Sequence, residues 1–329
     1  MYSLPRMSKG RNMREYGIIG YPLQYTLSPF FHTTLFERYN IDARYSPYPI
    51  EKEEIPYYIE RLRASSLHGL SVTAPYKYIV YSYCDYLSPL AQATGVVNTL
   101  SVQDGMIYGD NFDIAGIIKT LQQLEELRNS REAILYSEKG IEKLSNFNIH
   151  DTNKVQSKSY LCNETALILG TGATAVSAIV ALSHIGVQDI YVAGRSQESL
   201  ESLQKKYNII PVYHAFSENE ERNNNSSYLS LYDLPLCSIL ITTIQRGNEP
   251  LISYSLLARL LNSMSLVFDV HYSPRYSPLI RDAMQCSAFV SNGYQMFITQ
   301  ALLQFSTWTR IFPREEDIAL ITQHYHSAY

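Results

Sequence analysis

The chain has 329 residues, 46% of them hydrophobic and 18% charged, with a formal net charge of −4. That length leaves room for about two domains, the apolar share excludes a disordered chain, and the near balance of charge excludes the broad basic footprint of a nucleic-acid binder. No apolar run approaches the roughly 18 residues of a spanning helix and the first residues carry no apolar signal core, so a cytoplasmic setting without a membrane or nucleic-acid partner is expected. The four cysteines (Cys84, Cys162, Cys237, Cys286) are far apart and form no CxxC pair, so no metal is expected. Tyrosine is abundant at 28 residues and glycine sparse at 15, so any glycine-rich loop should be a lean one.

In chain order, residues 16–21 (YGIIGY) predict a buried strand. A helix follows, with Ser28 as N-cap, Pro29 at the first helical position and Phe31, Leu35 and Phe36 on its apolar face. Residues 43–50 alternate as a strand, 52–64 read as a helix restarted at Pro56, 68–73 as a strand and 76–86 as a helix. Strands over 96–102 and 106–108 flank a turn at Gln103-Asp104-Gly105. This alternation predicts a mixed or parallel sheet covered by helices. Residues 122–165 are polar and charged, and predict a helix followed by an inserted mobile segment. A second α/β block opens with a strand at 166–169, a helix from Thr174 and a strand at 189–193; the run 218–227 (ENEERNNNSS) reads as a loop. Strands recur at 238–242 and 266–270, and helices at 277–285 and from Gln295 to the end, with a break near Pro313.

Gly170, Gly172 and Ala175 make a G-x-G-x-x-A pattern between a predicted strand and a predicted helix, the setting a dinucleotide fingerprint requires. Gly170 permits the tight turn, Gly172 lets a pyrophosphate reach the backbone, and Ala175 allows close helix–strand packing. The helix N-terminus offers unpaired N–H groups to phosphate. The next strand ends at Gly194-Arg195-Ser196, with Arg195 where an NAD site usually carries an acid; an arginine there suits the 2′-phosphate of NADP.

Three polar clusters precede that loop, each at the end of an apolar strand, where open α/β sheets place ligands. They are Thr26-Leu27-Ser28-Pro29 with His32 one turn on, Ser71-Val72-Thr73-Ala74-Pro75-Tyr76-Lys77, and Asn98-Thr99 followed by Gly109-Asp110-Asn111-Phe112-Asp113. Singly, each has a plain reading: Thr26 and Ser28 as a helix cap, Lys77 as a solvated side chain, Asp113 as the cap of a helix over 114–121.

Together they resemble the shikimate dehydrogenase family, whose S-x-S-P-x-x-H-N, G-x-N/S-V-T-x-P-x-K, G-A-V-N-T and G-x-N-T-D-x-x-G patterns fall at Thr26, Gly69, Gly95 and Gly109. D-x-x-Y-x-P-x-x-T-P-L falls at Asp269 and G-x-x-M-x-x-x-Q-A at Gly293. Ser71 and the closing QALLQFSTWT look most like the shikimate dehydrogenase domain of the fungal pentafunctional arom protein. The resemblance implies NADPH-dependent reduction of 3-dehydroshikimate to shikimate. It implies an α/β fold with a substrate-binding catalytic domain over residues 1–112, a Rossmann-like NADP-binding domain over 113–292, and C-terminal helices (293–329) returning to the first domain. Lys77 would be the general acid, with Asp113 orienting it and bonding a substrate hydroxyl. Thr26, Ser28 and Tyr272 would hold the substrate carboxylate, and Thr73, Asn98 and Gln300 the ring hydroxyls. Gly170, Gly172, Ala173, Thr174, Ala175, Arg195, Ser196 and Gly293 would form the cofactor site. No metal is needed, and a monomer or homodimer is expected.

The chain departs from the family at several positions: Thr26 for Ser, Thr33 for Asn, Phe112 for Thr, Ala173 for the second Gly, Gly194 for Asn, and a loop at 241–246 without the usual proline. These changes crowd on the pocket rim and the cofactor side. They leave two alternatives beside the shikimate enzyme, a quinate dehydrogenase or a non-catalytic sensor of these ring acids.

Overall fold

The structure, a computed structural model, describes residues 13–23, 26–130, 161–214, 229–244 and 251–328. Residues 1–12, the inserted segment from 131 to 160, the loop at 218–227 and residues 245–246 lie outside the described residues.

The first sheet has six strands in the order β2-β1-β3-β5-β6-β4. β1 (Arg14–Gly20) lies between β2 (Ala43–Pro49) and β3 (Gly69–Val72), parallel to both. β5 (Thr99–Gln103) runs antiparallel to β3 and β6 (Met106–Asp110), and the short β4 (Tyr86–Leu87) closes the edge beside β6. Because β5 is reversed, its entry at Asn98-Thr99 meets the exits of β3 and β6: Ser71 pairs with Thr99, and Thr99 with Asp110. One end of this sheet therefore collects the three polar clusters.

The covering helices match the prediction in part. α1 (Ser28–Arg38) begins one residue earlier than expected, so Ser28 is inside it and is not the cap. The Thr26 hydroxyl instead accepts from the Ser28 N–H at 3.2 Å. α2 (Ile55–Arg63) starts with Pro56 in its first turn, where a missing N–H costs nothing, after a 3₁₀ turn at Lys52–Glu54. The helix expected over 76–86 does not form; only a 3₁₀ turn at Val80–Tyr83 stands there. Its aromatic and β-branched residues are weak helix formers, and the buried Tyr76 sends its hydroxyl to the Ile50 carbonyl. The six-residue α3 (Pro89–Thr94), unpredicted, carries the Ser-Pro start that misleads at Ser28: Ser88 Oγ accepts from Ala91 N at 3.3 Å.

The second sheet has the order β12-β11-β10-β7-β8-β9, and every pairing in it is parallel. Its strands are β7 (Thr165–Leu169), β8 (Asp189–Gly194), β9 (Ile210–Tyr213), β10 (Ile239–Thr242), β11 (Leu266–Asp269) and β12 (Phe289–Ser291). Counted from β7, this is the doubly wound order 3-2-1-4-5-6, which leaves a crevice between β7 and β10 at their carboxyl ends. One face is covered by α4 (Asp113–Asn129), through Ile114, Ile117, Ile118, Leu121 and Leu124, and by α5 (Ala173–His184). α6 (Gln197–Lys206) joins that core through Leu200 and Leu203. The other face is covered by α7 (Tyr254–Leu260) and α8 (Pro278–Gln285). α6, α7, β9 and β12 are not among the predicted elements.

The C-terminal helices return to the first sheet, as expected. α9 (Tyr294–Thr309) leaves β12, crosses α4, and buries Phe297, Ile298, Ala301, Leu302 and Phe305 against Tyr16, Phe31, Leu35 and Phe36. α10 (Glu315–Ala328) adds Ile318, Ile321 and Tyr325, and its buried Asp317 binds Arg38 and the Tyr39 hydroxyl. The α4–α9 crossing is a backbone contact at Gly116, where a Cβ would lie 2.7 Å from the Met296 carbonyl oxygen. Gly116→Ala therefore destabilises by about 1–3 kcal/mol through overpacking, although alanine is the better helix former by about 1 kcal/mol. Urea unfolding measures the sign, and a stabilised variant contradicts the close crossing.

Candidate active site

At the collecting end of the first sheet, Lys77 and Asp113 meet: Nζ lies 2.6 Å from Oδ2. Lys77 is 9% exposed and Asp113 1%, so the lysine is not the solvated side chain its position alone would allow. Lys77 follows the β3 exit, where its carbonyl accepts from Val97 N at 2.9 Å. Asp113 is the first residue of α4 rather than its cap, which is Phe112. Its carboxylate sits in the helix's first turn, where the dipole favours negative charge, and its second oxygen accepts from Asn98 Nδ2 at 2.8 Å.

Asn98 is fully used. Its amide donates to Asp113 and to Gln300 Oε1 at 2.9 Å, while Oδ1 accepts from Thr99 Oγ1 at 2.8 Å and from Phe112 N at 3.0 Å. The opposite amide orientation would face two oxygens toward each other at Asp113, so the contacts choose the rotamer. Lys77, Asn98, Asp113 and Gln300 thus converge from the β3 exit, the β5 entry, α4 and α9.

A second group gathers at the start of α1. Besides the Thr26–Ser28 contact, Tyr272 brings its hydroxyl from beyond β11 to accept from Leu27 N at 3.2 Å, and its ring packs on Phe297 at 5.2 Å between centroids. Hydroxyls and helix N-terminal N–H groups are the donors an anion needs where no cation is at hand. Thr73 lies half-buried at the β3 exit, packed so close to Gly20 that a Cβ there would be 2.3 Å from the threonine methyl. The residue patterns gave no role to Asp269, whose Oδ1 accepts from His271 N at 3.0 Å and lies 2.8 Å from His271 Nδ1, shaping the turn that presents Tyr272. The quoted D-x-x-Y spacing was the signal for it.

The Gly170–Gly172 loop stands at the β7 exit. Gly170 has φ +115, and a Cβ on it would lie 2.3 Å from Thr243 Oγ1. Gly172 is the N-cap of α5, and a Cβ there would meet nothing within 4 Å, so its backbone faces open space. Ala173 and Thr174 form the first turn of α5, and Ala175 is buried against the sheet. Arg195, after β8, is exposed and makes no hydrogen bond or ion pair with the described residues; Ser196 caps α6 by accepting from Ser199 N at 3.2 Å. An open helix N-terminus beside an unengaged arginine fits a phosphorylated dinucleotide. Gly293 is elsewhere, at the start of α9, where a Cβ would lie 2.0 Å from the Val270 carbonyl oxygen.

A doubly wound six-stranded sheet with an open glycine loop, joined to a mixed six-stranded sheet bearing a buried lysine–carboxylate pair, defines a two-domain α/β protein with the architecture of the dinucleotide-dependent dehydrogenase class. A model of the shikimate dehydrogenase substrate-binding domain matches residues 18–100. The shikimate dehydrogenase (NADP(+)) of Bacillus mycoides is 28% identical over 299 residues, covering 91% of this chain and 93% of that one. That of Bacillus cytotoxicus is 28% identical over 301 residues, with the same coverage of 91% and 93%. Among solved structures, the shikimate dehydrogenase of Aquifex aeolicus superposes with a TM-score of 0.71 at 20% identity, covering 96% of this chain and 100% of that one. The Thermus thermophilus enzyme, solved with NADP(H) and shikimate, superposes with a TM-score of 0.70 at 20% identity, covering 95% and 100%. The chain is thus similar to shikimate dehydrogenases over about nine-tenths of its length, and the substrate-binding domain model of that family matches much of its first sheet.

Proposed function

We propose that this protein is an NADP-dependent shikimate dehydrogenase, interconverting 3-dehydroshikimate and shikimate. The observation that carries the reading is the buried Lys77–Asp113 pair, locked by Asn98 and Gln300 beside a hydroxyl-lined helix start. A sensor that only binds its ligand has no need of a buried proton donor, so the intact pair favours an enzyme. The reading divides the chain into a catalytic domain at 1–112, with 293–329 packed on it, and a cofactor domain at 113–292. It places the protein in the cytoplasm as a monomer or homodimer; no described helix is long and apolar enough to cross a membrane.

In this mechanism Thr26, Ser28 and Tyr272 hold the substrate carboxylate, and Thr73, Asn98 and Gln300 the ring hydroxyls. Gly170, Gly172, Ala173, Thr174 and Ala175 cradle the cofactor pyrophosphate, Gly293 completes the cleft, and Arg195 with Ser196 receives the 2′-phosphate. NADP, when bound, supplies or accepts the hydride. In reduction, Lys77 Nζ gives its proton to the carbonyl oxygen as negative charge grows there; in oxidation it takes up the hydroxyl proton. Asp113 holds the lysine nitrogen in place in both directions and accepts from a substrate hydroxyl.

The test is nicotinamide absorbance with NADP or NAD and with shikimate or quinate, Arg195→Asp run alongside. Expected are turnover of shikimate with NADP and a fall of about 10- to 100-fold in the NADP-over-NAD preference of the variant, the size of a lost charged hydrogen bond. Quinate as the better substrate would make the protein a quinate dehydrogenase. Ligand binding without turnover would make it a sensor, and an unchanged preference removes Arg195 from the cofactor site.

A further inference from the structure

Behind the acid–base pair lies a hydrogen-bonded chain that no substrate contact requires. Tyr45 on β2 donates its hydroxyl to Ser71 Oγ at 2.7 Å, and Ser71 donates to Gln304 Oε1 at 2.8 Å. Gln304, on α9, donates from Nε2 to Thr99 Oγ1 at 3.1 Å and to the Asn98 carbonyl at 3.4 Å. Thr99 donates to Asn98 Oδ1, and Asn98 donates to Asp113 Oδ1. Every member is buried.

The donors all run one way, and burial forces that direction. Ser71 Oγ accepts from the Tyr45 hydroxyl, so its own hydrogen goes to the Gln304 oxygen. That sets the Gln304 amide with its NH₂ toward Thr99; the reverse would set its oxygen against the Asn98 carbonyl. Thr99 Oγ1, now an acceptor, must spend its hydrogen on Asn98 Oδ1, which turns the Asn98 NH₂ to Asp113. A reversal at any link would leave two oxygens facing each other in a dry site, where an unmade bond costs the most. His32 stacks on the Tyr45 ring at 4.4 Å between centroids; burial lowers its pKa to about 3, so it adds no charge to the chain.

We infer that Gln304, with Ser71 and Tyr45 behind it, is a positioning residue that orients the Asp113 carboxylate, and so Lys77, through Thr99 and Asn98. This deepens the shikimate dehydrogenase reading and rests on it for its kinetic consequence. Gln304 reaches the Lys77–Asp113 pair only through Thr99 and Asn98, so its loss lowers kcat by a larger factor than it raises KM.

Two variants test it: Gln304→Met, which keeps the volume, and Ser71→Ala, which removes one oxygen and keeps the inference falsifiable if the first does not fold. Expected is a fall of about 10-fold in kcat for shikimate oxidation, the effect of one charge-linked hydrogen bond. In an Asp113→Asn background the same substitutions cost less than about 2-fold, because groups acting as a unit are not additive. A readout independent of turnover is the labelling rate of Lys77 by an amine-selective reagent, followed by peptide mass spectrometry; it rises several-fold in both variants and not at exposed lysines. An unchanged kcat, a rise in KM alone, an equal loss with and without the Asp113 carboxylate, or unaltered Lys77 labelling overturns the inference. If the wild-type protein turns over nothing, the function reading fails, and the labelling still decides the chain.

Discussion

Lys77→Met lowers kcat for shikimate oxidation by roughly 10²- to 10⁴-fold, the range in which positioned proton transfer contributes. The variant removes the one proton donor at the pair while leaving the carboxylate cradle of Thr26, Ser28 and Tyr272 untouched, so shikimate binding, read by titration, changes far less than kcat. The substitution also strands Asp113, which is 1% exposed and, among the described residues, keeps only Asn98 as a side-chain partner. Breaking a buried pair from one side costs about 3–5 kcal/mol of stability. Loss of activity by unfolding is therefore a competing explanation, and a second substitution separates the two. In Lys77→Met/Asp113→Asn the buried charge is gone, so urea unfolding should return toward the wild-type midpoint while turnover stays low. A single variant that keeps wild-type kcat, or a double variant that regains activity with stability, would sink the general-acid assignment.

The protein loses stability in mild acid, and His32 accounts for much of the loss. Its ring is fully buried between Tyr45, Phe31 and Trp308, and neither nitrogen meets a partner at hydrogen-bond geometry. Desolvation drives its pKa down to about 3, and the nearby Gln304 amide offsets only part of that. In the unfolded chain the same ring titrates near 6.5. Below that value the unfolded state binds a proton that the folded state refuses, so the stabilisation is complete above about pH 6.5 and is lost as pH falls toward about 3, at up to about 1.4 kcal/mol per pH unit. His68, whose pKa burial also lowers, acts in the same direction. Glu15 and Asp317, held low by hydrogen bonds and arginine partners against the opposing effect of burial, add to the loss only below about pH 4.5. Asp110 and Asp282, raised by burial, oppose it. Comparison with His32→Leu cancels these shared contributions. Between pH 7 and pH 5 the wild type should lose about 2 kcal/mol more than the variant; parallel curves would mean that the ring takes up its proton inside the fold.

The residues between which the chemistry falls show how far a linear reading reaches. The nucleotide loop was legible because its demands are local: a turn at Gly170, an open backbone at Gly172 and a small residue at Ala175 all lie within one strand–helix junction. Lys77 and Asp113 lie in separate clusters, and only the family resemblance paired them. Their meeting needs β5 to run against its neighbours, and no periodicity records that reversal. The six-residue α3 and three-residue β12 are too short to show a period at all. The misread helix over 76–86 had its apolar residues claimed by the core in another arrangement, with Tyr76 reaching Ile50.

Sequence alone determined the α/β alternation, the glycine loop between its strand and helix, the resemblance to one family, and the polar clusters from which the candidate site is drawn. Those properties are written in short spans of chain, where backbone sterics, capping and apolar spacing act between neighbours. The tertiary structure decided which of those residues touch. It brought Asn98 to Gln300 across 202 positions, Tyr272 to Leu27 across 245, and Ser71 to Gln304 across 233. Hydrogen bonds of that reach leave no local pattern, because each partner's identity depends on where the sheets and α9 place it. The orientation of the Asn98 amide, the direction of the chain from Tyr45 to Asp113 and the neutral state of His32 follow from burial, which exists only once the two sheets and the returning helices have packed.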